Sequence, residues 1–437
     1  MRAVPRSSPR PTAVAPAGPT ARRLAVLSVH TSPLDQPGTG DGGGLNVHVL
    51  ETSRRLVERG IAIDVFTRAT AAGQPPVRPV SPGLRIHHVP AGPLGPVDKR
   101  RLPNHLCSFL LGLESHVEEH ASGPPFDVIH AHYWLSGWIG WRLSRRWGVP
   151  LVQSFHTLGR VKNDALAPGD EPEPAVRLLA EARLVDEADR VVVSVCGEAR
   201  HLHRRHGLSG RRISVVPPGV DADTFRPAPA RSPSAAPPGD GPLLLFVGRL
   251  QPLKGPDVAV RTLAAVRREV PDARLLIVGG ESGSSGASTG PDALRALAAD
   301  LGVADAIAIE PAQPQPAIAD RYRAADVTVV PSRTESFGLV ALESQACATP
   351  VVAADVGGLS DVVRGGVLVP GHAPEDHARA IVDLIRDDER RSALIQRGLR
   401  RARNASWERT VDGLVEVYDD LRRAVPRKAA SSTGPVA

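Results

Sequence analysis

The sequence predicts an α/β protein made of two doubly wound parallel-sheet domains that face each other across an interdomain cleft. Short apolar, β-branched segments alternate with segments of helical periodicity in both halves of the chain, as in parallel sheets covered by helices. A stretch rich in Pro, Ala and Ser at 226–242 separates the halves, and the alternation restarts after it. With 437 residues, 42% of them hydrophobic, the chain can form two buried cores.

The first domain is expected at 23–225. Its predicted buried strands lie at 24–30, 61–67, 127–132, 151–156, 190–195 and 212–217. Apolar residues at helical spacing over 45–60, ending at Gly60, predict the helix that follows the first strand.

The second domain is expected at 243–406. Its predicted strands lie at 243–250, 273–280, 306–311, 327–332 and 350–355. Because no strand follows the helix predicted at 407–423, we expect this helix to pack back on the first domain. In open α/β sheets ligands bind beyond the carboxyl ends of the strands, so two such sheets facing each other predict an active site between the domains.

Composition and charge indicate which segments are ordered and exclude several classes of protein. The ends, 1–22 and 424–437, are Pro-, Ala- and Ser-rich and are expected to be disordered tails. No window approaches 18 consecutive apolar residues, so no membrane insertion is expected. The net charge of +6 comes from interspersed signs, which argues against a nucleic-acid partner and favours small anionic substrates. The three cysteines have neither disulfide-framework nor metal spacing and fit a cytoplasmic location.

Lysine is unusually rare, because arginine supplies nearly all of the 53 basic residues. The four lysines are Lys99, Lys162, Lys254 and Lys428. A remaining lysine marks a position where a compact ammonium suits better than a planar guanidinium.

The first motif is a glycine-rich loop between a strand and a helix. Gly42, Gly43 and Gly44 lead directly into the helix, so successive backbone N–H groups and the helix N-terminus can approach an anion. His30, Asp41 and Asn46 flank the loop with polar groups that a purely structural turn does not need. We interpret the loop as a diphosphate site, and the absence of GxxxxGK[ST] excludes a P-loop.

The second motif, FVGRLQPLKG, places Arg249 and Lys254 at the carboxyl end of a strand. A bidentate guanidinium and a compact ammonium at this position suit a pyrophosphate leaving group. A solvated surface pair is the structural alternative.

The third motif, PSRTESFGLVALE, separates Glu335 from Glu343 by seven residues. With Glu343 in a helix and Glu335 in the preceding loop, both carboxylates can face one cleft and bind the hydroxyls of a sugar and a ribose. Glu343 lies among apolar and small residues, where an unpaired carboxylate is costly.

Together these three motifs resemble the retaining glycosyltransferases of family 4, which have the GT-B architecture of two Rossmann-like domains. The segments VDKRRLP, HAHYWLSG, FHTLGRVKN and PEPAVRLLAEARLVDEADR are similar to the branch that glycosylates 1D-myo-inositol 3-phosphate in actinobacterial mycothiol biosynthesis. The resemblance covers about residues 24 to 422 and implies transfer of N-acetylglucosamine from UDP to that acceptor.

The resemblance also implies site residues. The catalytic residues would be Arg249, Lys254, Glu335 and His156. The nucleotide sugar would bind Gln36, Pro37, Gly43, Gly44, Arg249, Lys254, Gln313, Glu335 and Glu343. The acceptor would bind His30, Asp41, Asn46, Lys99, Tyr133, Thr157 and Arg177. From chemistry alone, Lys99, Tyr133, Thr157 and Arg177 can form a phosphate cage of two cations and two hydroxyls.

The resemblance implies no organic cofactor but admits a magnesium ion held largely by backbone carbonyls. Its residues would be Tyr322, Arg323, Ala325 and Thr349. The HxH spacing of His130 and His132 suggests a metal site only weakly, because no third ligand is apparent, and buried core histidines are the alternative. A homodimer is left open by the sequence.

The chain departs from the family pattern mainly in the second domain, where VRGGVLVPGH is shorter than usual and Arg333 and Thr334 replace an aromatic residue. VSVCGEAR also replaces a polar segment at 193–200. Two alternatives therefore stay open: a secondary-metabolism relative with another nucleotide sugar or another acceptor, such as a thiol, and a non-catalytic sugar-nucleotide-binding protein.

Overall fold

The computed structural model describes residues 21–120, 126–167, 170–228, 239–281 and 290–424. They form two α/β domains with parallel sheets, which confirms the predicted fold class. Residues 1–20, 229–238 and 425–437, on which the predicted tails and most of the predicted linker fall, lie outside the described residues. Ala21, which we assigned to the N-terminal tail, is fully buried.

The first domain contains an eight-stranded sheet in its described part. Its strands are β1 (Arg23–Leu27), β2 (Ala62–Arg68), β3 (Val77–Ser81), β4 (Leu84–Val89), β5 (Val128–His132), β6 (Leu151–Ser154), β7 (Arg190–Val193) and β8 (Ile213–Val215). The spatial order is β3-β4-β2-β1-β5-β6-β7-β8, with only β3 antiparallel to its neighbour. Its helices are α1 (Gly44–Glu58), α2 (Leu106–His120), α3 (Tyr133–Trp147), α4 (Gly159–Asn163), α5 (Ala175–Glu187) and α6 (Cys196–His206).

The second domain contains a six-stranded sheet with the order β11-β10-β9-β12-β13-β14, in which the described pairs are parallel. Its strands are β9 (Leu243–Val247), β10 (Arg274–Val278), β11 (Ile307–Glu310), β12 (Val327–Val330), β13 (Val351–Ala354) and β14 (Gly366–Val369). Its helices are α7 (Pro256–Val266), α8 (Pro291–Asp300), α9 (Gln315–Ala324), α10 (Leu339–Ala346), α11 (Leu359–Val362), α12 (Pro374–Arg386) and α13 (Asp388–Arg403).

Both faces of each sheet are buried, which explains the continuous apolar strands. In β1, Leu24 and Val26 pack into the cluster that includes residues of α1, whereas Ala25 and Leu27 pack into the cluster formed with α2, α3 and α5. The side chains of a strand alternate between the two faces of its sheet, so a strand covered on both faces is apolar at most positions.

The last helix, α14 (Trp407–Ala424), packs on the first domain against α1 and the sheet, through Val411, Leu414 and Tyr418. The chain therefore crosses between the domains twice, after β8 and before α14. The crossings lie side by side, since the Val220 N–H donates to the Ala405 carbonyl at 2.8 Å.

Three strands were missed by the sequence analysis, and several predicted strands extend past their observed carboxyl ends. The strand predicted at 24–30 ends at Leu27, because residues 28–30 leave the sheet to form the loop above it. Strands β3 and β4 form an antiparallel hairpin that the parallel pattern did not predict. The shortened segment VRGGVLVPGH forms β14, the edge strand of the second sheet. Within the described ranges, no helix combines the length and apolar character needed to cross a bilayer.

Candidate active site

A cavity of about 710 Å³ lies between the two domains, at the carboxyl ends of their strands. His30, Tyr133 and His156 enter it from the ends of β1, β5 and β6. Arg249 follows β9, and Ser332 follows β12. In both sheets the strand order changes direction at this point, which is where open α/β sheets bind ligands.

Two residues at this edge of the first sheet have an unusual backbone conformation. Tyr133 has φ of 75° and His156 has φ of 60°, which is the left-handed region that non-glycine residues rarely adopt. Such strain of about 1–3 kcal/mol per residue persists where the surrounding structure enforces it, and it is common at functional sites.

The glycine loop begins helix α1 and faces the cavity. A Cβ at Gly42 would lie 2.7 Å from the Gln36 carbonyl oxygen, so this turn requires glycine. The Gly43 N–H donates to Asn46 Oδ1 at 2.9 Å, and Asn46 Nδ2 donates to the Thr31 hydroxyl at 2.7 Å. Asn46 is fully buried and absent from the cavity lining, so it fixes the loop from behind.

The same loop connects the two domains. Gln36 Nε2 donates to the Gln313 carbonyl at 2.8 Å, and the Gly280 N–H donates to the Gly38 carbonyl at 2.9 Å. Pro37 lines the cavity between these contacts. Ser336 also donates across the cleft, to the His156 carbonyl.

Two cations of the second domain face the loop. A Cβ at Gly43 would lie 3.7 Å from Arg249 Nε, which places this guanidinium at the N-terminus of α1. Lys254 Nζ lies 2.5 Å from Glu335 Oε2. Gly255 has φ of 68°, and a Cβ there would lie 2.6 Å from the Pro331 carbonyl, so the turn that holds Lys254 also requires glycine.

Burial lowers the pKa of Arg249, against the opposing influence of the Asp41 and Glu335 carboxylates. An anion bound in the cavity would compensate the Arg249 guanidinium for the hydration that it loses on burial.

Glu343 lies inside α10, and Glu335 lies in the loop before that helix. The Tyr322 hydroxyl donates to Glu343 Oε2 at 3.1 Å. Burial raises the pKa of Glu343 to about 7, despite that hydrogen bond. Both carboxylates line the cavity.

Arg177 is the most buried cation of the cavity, with a side chain only 3% exposed. Nε pairs with Glu181 Oε1 at 2.7 Å, Nη1 with Glu173 Oε2 at 3.0 Å, and Nη2 donates to the Thr157 carbonyl at 2.9 Å and hydroxyl at 3.1 Å. The guanidinium carbon lies 4.9 Å from the Tyr133 ring centre. Burial opposes the charge, but Tyr133, Glu181 and Glu173 outweigh it and raise the pKa of Arg177.

Lys99 and Asp41 form an ion pair in the same cavity, with Nζ 2.5 Å from Oδ1. Burial lowers the pKa of Lys99, and the nearby cations Arg249 and Lys162 lower it further against the pull of Asp41. His30 packs on Tyr133 with ring centres 4.5 Å apart, and its buried Nδ1 has no hydrogen-bond partner among the described residues.

A chain of histidines runs from the cavity into the first domain. His132 Nδ1 lies 2.8 Å from His156 Nε2, while His130 Nδ1 contacts the Tyr418 hydroxyl at 2.7 Å and its Nε2 the Ser154 hydroxyl at 2.9 Å. Burial lowers the pKa of all three, so they are neutral near pH 7. His130 and His132 are thus buried and hydrogen-bonded, in agreement with the core alternative.

The residues of the suggested magnesium site come together only in part. Thr349 Oγ1 donates to the Tyr322 carbonyl at 2.5 Å, and the Ala325 N–H donates to the same oxygen at 3.1 Å. The Arg323 side chain, which cannot bind a cation, donates to the carbonyl oxygens of Thr224 and Arg226. A carbonyl oxygen with two such donors does not fit a cation that prefers carboxylates and water. Among the described residues, no group of three His, Cys, Asp or Glu side chains could hold a metal ion.

A charged pair in the cavity received no role from the sequence analysis. Lys162 pairs with Glu173, and both line the cavity. The rarity of lysine is a signal that could have found Lys162, because Lys99, Lys162 and Lys254 all line this one cavity.

Comparison with known proteins agrees with this architecture. The model of group 1 glycosyl transferases matches residues 229–401, and the model of the glycosyl transferase 4-like domain matches residues 43–219. D-inositol 3-phosphate glycosyltransferase of Nocardiopsis dassonvillei is 51% identical over 91% of this chain and 94% of its own length. The protein of the same name from Acidothermus cellulolyticus is 51% identical over 95% of each chain.

The chain belongs to this glycosyltransferase family. As a glycosyltransferase, it also has the GT-B fold of solved relatives. Sucrose-phosphate synthase from Thermosynechococcus elongatus superposes with a TM-score of 0.84 at 31% identity, covering 92% of this chain and all of the other. Anabaena HepE, solved with UDP-glucose, superposes with a TM-score of 0.70 at 17% identity, covering 91% of this chain and 99% of the other, and supports the fold alone.

Proposed function

We propose that this glycosyltransferase transfers N-acetylglucosamine from UDP to 1D-myo-inositol 3-phosphate in the cytoplasm, with retention at the anomeric carbon, as the first step of mycothiol biosynthesis. One observation carries the proposal. Cations of both domains line the cavity, among them Arg249 and Lys254 on the second domain and Lys99, Lys162 and Arg177 on the first. Cations on both domains suit two anionic substrates, a nucleotide diphosphate and a phosphorylated acceptor.

The curated relatives support the acceptor, because their name states D-inositol 3-phosphate. The donor is supported by the cations opposite the glycine loop. A diphosphate between Arg249 and the N-terminus of α1 would meet the guanidinium, the Gly44 amide and the helix dipole together, since the Gly43 N–H is already bound to Asn46. Anabaena HepE, which shares the fold, was crystallised with UDP-glucose.

For the donor, we assign Lys254 to the diphosphate, Glu335 to the sugar hydroxyls and Glu343 to the ribose hydroxyls. Lys254 and Glu335 lie 2.5 Å apart, so one position next to both can hold the sugar and its leaving phosphate. Gln36, Pro37 and Gln313 form the wall where the glycine loop meets the second domain.

His156 is assigned to the transferred sugar. Its Nε2 is held by His132 Nδ1, so its Nδ1 is the nitrogen left for the sugar. Because burial lowers the pKa of His156, the ring acts as a neutral hydrogen-bonding group rather than as a cation.

A front-face reaction fits these groups. The bond from the anomeric carbon to the β-phosphate oxygen breaks, the acceptor hydroxyl attacks from the same side, and the β-phosphate takes its proton. Arg249, Lys254 and the Gly44 N–H at the N-terminus of α1 stabilise the charge that develops on the phosphate. The carboxylates that line the described cavity already have partners, among them Asp41, Glu173, Glu335 and Glu343, which favours this route over a carboxylate nucleophile.

For the acceptor, we assign the phosphate to Lys99, Thr157, Arg177 and Tyr133, with His30 and Asp41 beside the inositol ring. Asn46 acts indirectly here, because its amide is satisfied within the glycine loop. The unpartnered Nδ1 of His30 supports a contact to a ring hydroxyl.

A UDP-release assay tests the proposal. UDP-N-acetylglucosamine, UDP-glucose and GDP-mannose are each combined with inositol 3-phosphate and with free inositol. We expect fast release only with UDP-N-acetylglucosamine and inositol 3-phosphate. Preference for another donor or acceptor would favour the secondary-metabolism alternative, and the absence of release with every pair would favour the non-catalytic one.

A further inference from the structure

Glu173 occupies the meeting point of two cations in the acceptor region of the cavity. One carboxylate oxygen pairs with Lys162 Nζ, and the other lies 3.0 Å from Arg177 Nη1. Its backbone N–H donates to Asn163 Oδ1 at 2.7 Å, which fixes this loop just before α5. The two cations hold the pKa of Glu173 below its ordinary value although burial would raise it, so the side chain is ionised.

While Glu173 is in place, each nitrogen of the Arg177 guanidinium already has a hydrogen-bond partner. Nε is held by Glu181, a carboxylate that does not line the cavity and also accepts from the Gly159 N–H at 2.8 Å. Nη2 is held by Thr157. Nη1 therefore provides the main approach for an anion, and Glu173 is already bound there.

We propose that Glu173 is a specificity-determining residue, a resident anion that fills the place of the acceptor phosphate until the acceptor displaces it. This inference rests on the proposed function and deepens it. A carboxylate bridging Lys162 and Arg177 makes the same kind of charge-assisted contacts as two phosphate oxygens. A phosphate dianion carries more charge and a third oxygen, so it can exchange with the carboxylate and add contacts to Lys99.

The consequence is selection for a phosphorylated acceptor. Free inositol is neutral and cannot replace a carboxylate between two cations, so Glu173 stays bound at the phosphate position. Lys162 becomes a phosphate ligand only after Glu173 has moved away, which adds a third cation to Lys99 and Arg177. Neither Lys162 nor Glu173 was assigned to the acceptor by the sequence analysis.

Titration calorimetry with inorganic phosphate on the full chain tests the inference without using turnover. Glu173→Gln removes the internal competitor, so we expect phosphate to bind about tenfold more tightly. Glu269→Gln is the control, because it removes the same charge from an exposed pair with Arg386 that does not line the cavity. The control should change the affinity by less than about twofold. An unchanged or weaker affinity in Glu173→Gln, with normal thermal stability, would overturn the proposal.

Lys162→Met provides a second test should Glu173→Gln fold poorly. The Lys162 side chain is 33% exposed, so its removal leaves the core intact. We expect phosphate affinity to fall at least about threefold with UDP affinity unchanged. Equal phosphate affinity in this variant and the wild type would show that Lys162 and Glu173 are only a structural pair.

The inference and the proposed function can fail separately. A tighter affinity for phosphate in Glu173→Gln, together with no turnover of inositol 3-phosphate, would keep the resident anion and reject the proposed acceptor. Turnover of inositol 3-phosphate, together with equal phosphate affinity in Glu173→Gln and the wild type, would keep the proposed acceptor and reject the resident anion. In steady-state assays, Glu173→Gln should lower the KM for the acceptor and leave the KM for the UDP-sugar unchanged, a split that a merely structural role would not produce.

Discussion

Two ion-pair clusters in the first domain look alike by burial and pairing but differ in what they face. Asp64 is 1% exposed and accepts from Arg23 Nε at 2.9 Å and Arg85 Nε at 2.7 Å, with His87 Nε2 at 2.7 Å. Arg177 is 3% exposed and is paired as fully. None of the Asp64 partners lines the interdomain cavity, whereas Arg177 does.

The comparison teaches that a buried, perturbed charge is not by itself a functional site. Burial alone would raise the pKa of Asp64, but hydrogen bonds from His87, Arg85 and Arg23 outweigh it and hold this pKa well below its ordinary range. Those partners lie away from the cavity, where no ligand can replace them, so the cluster supports folding. Around Arg177 the partner at Nη1 is a cavity-lining carboxylate that a ligand can replace.

The largest effect is expected from Asp64→Asn. Removing this charge takes away the buried carboxylate that Arg23, Arg85 and His87 share, so the free energy of unfolding should fall by about 3–5 kcal/mol. The stabilisation is present above about pH 4 and is lost as the pH falls through the folded-state pKa, because that pKa is lowered. Urea denaturation followed by circular dichroism measures it.

Glu408→Gln is the control for this prediction, since Glu408 is 58% exposed in its pair with Arg55 and should contribute less than about 1 kcal/mol. Activity per folded molecule should survive in Asp64→Asn. A large loss of kcat in the folded variant would mean that the Asp64 cluster belongs to the site after all.

The next effect is expected from Lys254→Ala in the cavity. Loss of a charge aimed at the leaving diphosphate should lower kcat by about 10²-fold or more, with thermal stability retained. Arg295→Ala, an exposed change on α8, is the control and should leave kcat unaltered. Unchanged turnover in Lys254→Ala would remove this residue from the mechanism.

A smaller effect is expected from Lys99→Met. One charge-assisted contact of about 1.5–3 kcal/mol is lost, so kcat/KM for the phosphorylated acceptor should fall about 10- to 150-fold, with the KM for the donor unchanged. Lys99 is a cleaner probe of the cage than Arg177, because replacing Arg177 by Ala would leave Glu181 buried without its cation. A parallel loss of donor affinity would contradict the assignment of Lys99 to the acceptor.

The smallest effect concerns the pH dependence of uridine binding. With a pKa of about 7, Glu343 changes from mostly protonated at pH 6 to mostly ionised at pH 8. The carboxylate is the better acceptor for ribose hydroxyls, so the Kd of uridine should fall by up to about tenfold over this range. Uridine carries no phosphate to titrate, and Glu343→Gln should abolish the dependence. An equally steep profile in that variant would point to another group.

Much of the second-domain site was predictable, because its residues lie close together in the sequence. Arg249 and Lys254 belong to one strand–loop–helix connection, and Glu335 and Glu343 to another. Such connections end at the carboxyl edge of a parallel sheet, so spacing alone places their side chains at the cleft.

The pairings within the acceptor region were not predictable. Lys99 meets Asp41 across a large separation in the sequence, and Lys162 meets Glu173 eleven residues further along the chain. Neither pairing leaves a periodic signal. Likewise β3, with Pro79 and exposed residues, has no regular apolar pattern by which it could be detected.

The side-by-side crossings near Val220 and Ala405 set the kind of movement that the two domains can make. A single flexible tether would let them separate and rotate freely, whereas two adjacent backbone segments, joined by a hydrogen bond, resist twisting and sliding. The remaining freedom is bending about one axis. The glycine loop and the second domain, which already touch through Gln36 and Gly38, therefore part and meet along one arc, and little orientational entropy of the domains is lost when a donor binds between them.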